Sequence, residues 1–65
     1  MTAEYTRNDK THQFDAGSFP PAPLVNITTR GCPSSPPVRL TLSYVGLDPQ
    51  RHVAIYRVVE ERSVQ

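Results

Sequence analysis

The clearest hydrophobic pattern in the chain begins at Val38. Through Val38, Leu40, Leu42 and Tyr44 every second residue is apolar, with Arg39, Thr41 and Ser43 between them. That period of two predicts a half-buried β-strand over 38–45. Gly46, Asp48, Pro49 and Gln50 follow as turn residues. The next segment, near 52–60, is dense in β-branched residues (Val53, Ile55, Val58, Val59) and carries Tyr56. Asp48 and Pro49 would also suit a helix start. Strand is favoured because β-branched side chains lose χ1 freedom in a helix. A third strand is expected near 24–30, where Leu24, Val25, Ile27, Thr28 and Thr29 lie between Pro23 and Gly31.

One hairpin register sorts the two later strands. With Val45 opposite His52, Tyr44 faces Val53, Leu42 faces Ile55, Leu40 faces Arg57 and Val38 faces Val59. One surface is then apolar except for Arg57, whose stem can lie on it with the head in water. The other surface carries Arg39, Thr41, Ser43, His52, Ala54, Tyr56 and Val58. In this register Val38, Leu40, Leu42, Val53, Ile55 and Val59 are the expected core.

Upstream the pattern fades. Residues 1–18 are rich in Thr, Asp, Asn, Lys and Gln, with isolated Tyr5 and Phe14. So little apolar surface does not offset the entropy of ordering, which predicts a mobile arm whose removal spares the fold. Six of the seven prolines lie between Pro20 and Pro37 and read as stiff linkers. The expected fold is therefore all-β: a two- to three-stranded antiparallel sheet over 24–65, with a flexible arm over 1–23. Such a sheet has a bare face and two open edges. A second copy, a larger partner or the proline-rich segment must cover it.

Length and composition limit the function. At 65 residues the chain holds one domain, and a core this small seldom supplies more than about 3–5 kcal/mol. A single cysteine excludes an internal disulfide framework. No apolar run approaches the roughly 18 residues of a membrane helix, and the polar start is unlike a secretory signal. A cytoplasmic location is expected. Net charge is +1, which gives no bulk electrostatic pull toward nucleic acid.

Candidate chemistry is sparse. Cys32 lacks CxxC or CxxH spacing, so no metal site or cofactor is expected and the residue reads as a free loop thiol. Asn26-Ile27-Thr28 matches a glycosylation sequon but reads as a polar strand position. The PxxP spacings from Pro20 and Pro33 lack a flanking basic residue. The acidic residues fall in expected loops or chain ends, unlike a shielded acid–base pair, so no enzyme is expected. The expected function is a non-catalytic interaction protein of adaptor or inhibitor type. It would dock onto a larger protein, or onto a second copy, through a sheet edge or the polar face. Arg39, Thr41, His52, Tyr56 and Arg57 are the candidate partner-binding residues, because Tyr and Arg are enriched at interface hot spots. The alternatives are a small module binding single-stranded nucleic acid through the same face, or a subunit of a larger assembly.

Overall fold

A computed structural model describes residues 1–30 and 33–64. The protein is all-β, with one five-stranded sheet and no helix among the described residues. The strands are β1 (Thr2–Arg7), β2 (Lys10–Asp15), β3 (Leu24–Thr29), β4 (Val38–Asp48) and β5 (Val53–Ser63). Their order across the sheet is β2-β1-β5-β4-β3. All neighbours are antiparallel except β1 and β5, which run parallel. Strands β4 and β5 have 11 residues each. At about 3.3 Å per residue they account for the molecule's long dimension, which is 37 Å.

The three strands expected from sequence are present, with β4 and β5 each extended by three residues at the C-terminal end. The sheet is nevertheless mixed and five-stranded rather than a two- to three-stranded antiparallel one. The segment expected to be a mobile arm supplies β1 and β2. Ala3 and Tyr5 on β1 are buried in the core cluster with Leu40, Leu42, Ala54 and Tyr56. A two-residue turn joins β1 to β2, with Asn8 and Asp9 at φ 54° and 62° between the paired Arg7 and Lys10. Both are left-handed conformations that Asn and Asp tolerate better than other side chains. The hairpin is weakly apolar, yet β1 is covered by β2 on one side and by β5 on the other. Its small Ala3 lies opposite Phe14 and Ala54 and is fully buried.

The β4–β5 register also differs from the expected one. Tyr44 lies opposite Tyr56, not Val53, which is a slip of three residues. Side chains alternate faces, so an odd slip turns β5 over. Tyr56 and Val58 therefore join the core side, and Arg57 joins Ser43, Thr41 and Arg39 on the opposite side. Two bulges accompany the slip. Val45 is the extra residue between Tyr44 and Gly46, and Val59 the extra residue opposite Thr41 and Leu42. Both bulged valines are exposed. Of the expected core, Leu40, Leu42 and Val53 are buried, Val38 and Ile55 are half-buried, and Val59 lies outside.

The connection from β2 to β3 crosses the whole sheet, since these strands form its two edges. It starts at a local knot: the Gly17 N–H donates to Asp15 (2.8 Å), and the Met1 ammonium donates to both Asp15 and the Gly17 carbonyl. Gly17 has φ +82°, which its missing Cβ allows. Further on, Tyr56 donates its hydroxyl proton to the Ala22 carbonyl (2.6 Å), and the Tyr44 N–H donates to Pro23 (3.0 Å). The proline-rich stretch is thus bonded onto the aromatic face. It acts as a strap over the core, one of the three ways the sequence offered to cover the bare face.

Candidate functional site

The five residues singled out from sequence do not form one surface. Arg39, Thr41 and Arg57 share the face opposite the core, but Arg39 lies opposite Arg62 while Arg57 lies opposite Ser43. Four strand positions separate the two arginines along β4, about 13 Å. Thr41 donates to Asn26 Oδ1 (3.0 Å), which ties β4 to β3 and engages the sequon asparagine. His52 stands apart in the β4–β5 loop, exposed and at φ 55°. Tyr56 is the plain correction. It is 3% exposed and packs edge-on against Phe14 and Tyr44 at centroid separations of 5.4 and 5.6 Å. Burial, and next the proximity of Tyr44, raise its phenol above the ordinary tyrosine range. The ring is thus a neutral donor inside the core, where it offers a partner nothing. Cys32 lies outside the described residues.

Two charged clusters occupy opposite ends of the sheet. At the β4–β5 loop, Arg51 bridges Glu4 (2.6 Å) and Asp48 (2.9 Å). Glu4 is buried on β1, and its carboxylate receives two guanidinium nitrogens of Arg51. The Arg51 side chain holds the Asp48 carboxyl below its ordinary range, helped by the Gln50 N–H. In return Glu4, then Asp48, push Arg51 upward. Every charge in this cluster has a partner.

The other end gathers residues that the sequence did not connect. Tyr5, Arg7, Asn8, Lys10, His12, Thr29 and Arg30 line one cleft of about 220 Å³. In a flat sheet β2 and β3 would be four strand spacings apart, about 19 Å. Their sharing a cleft means that the sheet rolls over its core face. Tyr5 forms the floor, and the His12 ring stacks on it at 5.2 Å and 26°. Arg7 donates through Nε (3.0 Å) and Nη2 (2.8 Å) to one oxygen of Glu61. Lys10 and Arg30 make no ion pair among the described residues. Sequence proximity could have flagged only Arg7 to His12. Arg30 is brought in by the roll of the sheet.

Among the described residues no group of three or more His, Cys, Asp or Glu is placed to hold a metal ion, and no helix is long and apolar enough to cross a membrane. Comparison of the chain with protein-family models, with curated proteins and with solved structures returns no match.

Proposed function

We propose that the protein is a non-catalytic interaction protein that adds a strand at the free edge of β3, and that the strand added is β3 of a second copy. The observation that carries this reading is the contrast between the two edges. Edge strand β2 bears Lys10 and Asp15, charges of the kind that discourage edge-to-edge pairing. Edge strand β3, Leu-Val-Asn-Ile-Thr-Thr, has no charge and no proline. Its Leu24 is 61% exposed.

Geometry favours self-pairing. Pro23 accepts its bond from Tyr44, so by alternation the backbone groups of Leu24, Asn26 and Thr28 point away from β4. An antiparallel pair centred on Asn26 sets Val25 opposite the second copy's Ile27, on the core side of both sheets. It sets Leu24 opposite Thr28 on the other side. No like charges oppose one another.

Light scattering on a sizing column tests the reading. The mass should rise from 7.3 kDa toward twice that value as concentration increases. Asn26→Lys places two ammonium groups face to face in the pair and should hold the protein monomeric. A wild-type chain that stays monomeric up to millimolar concentration sinks the proposal.

A further inference from the structure

We propose that the cleft between the β1–β2 turn and the end of β3 binds single-stranded nucleic acid, seating one nucleotide with its base on His12 and its phosphate on Lys10 and Arg30. Three observations carry this, and none of them is the contrast between the sheet's two edges.

The first is charge. Arg7, Lys10 and Arg30 line the cleft, and among the described residues Glu61 is the one carboxylate bonded to any of them. Three cations less one anion leave an excess of two. The chain as a whole carries +1, so the excess is local. Asp9 sits in the adjoining turn but does not line the cleft. Arg7 keeps guanidinium donors beyond the two that Glu61 takes, and that pair fixes its orientation.

The second is the ring. His12 lies with one side stacked on Tyr5 and is itself exposed. A ring backed by a buried ring is a platform that needs no further ordering, and every base has a face that can stack on it.

The third is size. Pockets that enclose drug-sized ligands run to roughly 300–1,000 Å³. This one, at about 220 Å³, takes one unit of a ligand and leaves the rest outside. A polymer crossing the cleft meets that condition better than an enclosed metabolite. The Asn8 side chain, also lining the cleft, offers both a donor and an acceptor to a base edge.

The test is fluorescence anisotropy with a labelled ten-nucleotide oligo(dT) and its RNA counterpart at low salt, on the full chain. Binding should weaken as salt rises, since phosphate contacts release counterions. Lys10→Gln with Arg30→Gln should flatten that salt dependence and weaken binding at least tenfold. Both side chains are exposed, so this double variant should fold, and its circular dichroism checks that it does. His12→Ala should weaken binding by roughly 5- to 150-fold, the usual loss of one stacking platform. Arg39→Gln with Arg57→Gln, on the opposite face, should leave it unchanged. Thymidine monophosphate and inorganic phosphate, each as competitor, separate the sources. Displacement only at concentrations far above the oligonucleotide's supports a polymer ligand. Displacement by phosphate at comparable concentration overturns the base contact. No binding at low salt overturns the proposal, as does equal loss in the Arg39/Arg57 variant.

Discussion

The two ends of the rolled sheet handle charge in opposite ways. At the β4–β5 loop one cation, Arg51, is shared by two carboxylates, one of them on buried Glu4. At the far end three cations line an open cleft, and among the described residues one of them, Arg7, is paired with a carboxylate. A cluster that closes its own charges secures a turn and a strand. A cluster that leaves charges over is free to meet a ligand. The difference is topological. β1 is sandwiched between β2 and β5, so Glu4 is held where the loop can cap it. Lys10 opens edge strand β2 and Arg30 directly follows edge strand β3, at the margins of the sheet.

The largest expected effect comes from the residue between the two ends. Tyr56 joins β5 to Phe14, to Tyr44 and to the strap at Ala22. Tyr56→Ala should cost about 3–5 kcal/mol, as aromatic truncations in cores do. For a chain of this size that is enough to lose the fold. Both ends should then fail together in urea denaturation followed by circular dichroism. Were the loop end to survive while the cleft end melted, the two would be separate units and the comparison would break.

A smaller effect, specific to the loop end, comes from acid. The Asp48 carboxyl is held low, chiefly by Arg51 and next by the Gln50 N–H. A carboxyl lower in the folded than in the unfolded state stabilises the fold fully above its unfolded value. That contribution fades as pH falls through the folded one. Stability measured in urea should hold from neutral pH to about 5 and decline below about 4. Asp48→Asn should remove part of the decline. Another part should remain, because the Asp15 carboxyl is also lowered, by the Gly17 N–H first and by the chain's own ammonium next. An acid profile unchanged by Asp48→Asn would mean that Arg51 rests on Glu4 alone.

These expectations differ from those of the sequence for identifiable reasons. The strand character of 24–30, 38–45 and 52–60 was legible because β-branching and alternation are local signals. Tyr5 and Phe14 looked isolated because their partners, Tyr56 among them, are distant in sequence or on the adjoining strand. Thr2, Thr6 and Thr11 suited strands, but with Ala3 as the apolar neighbour the alternation was too faint to weigh against mobility. The face of Tyr56 is not legible in the sequence because a hairpin register depends on loop length, and a four-residue loop with two bulges sorts the residues as plausibly as a six-residue loop with none. Arg57 carries the trace of the true register. A lone arginine on an apolar face signalled a slip. The cleft was hidden for another reason: no sequence period reports how far a sheet rolls, and the roll alone brings Arg30 near His12.

The smallest predicted effect sharpens the placement of the bulge beside the cleft end. Val58 packs against the core cluster, whereas its neighbour Val59 is 48% exposed as the extra residue of the bulge. In the register expected from sequence, Val59 would be buried opposite Val38. Val59→Thr swaps a methyl for a hydroxyl of similar volume at a surface strand position. It should change stability by no more than about 0.5 kcal/mol. Val58→Thr introduces the same hydroxyl on the core side and should cost about 1–3 kcal/mol if the group is left without a bonding partner. The bulge also sets the cleft's charge. Because Val59 is skipped, Glu61 lies opposite Leu40 on the core side, where it reaches Arg7 at 2.8 Å. Without the skip Glu60 would take that side and Glu61 would turn away. If Val59→Thr proves the more damaging of the two, Val59 rather than Val58 faces the core, and β5 pairs in the register expected from sequence.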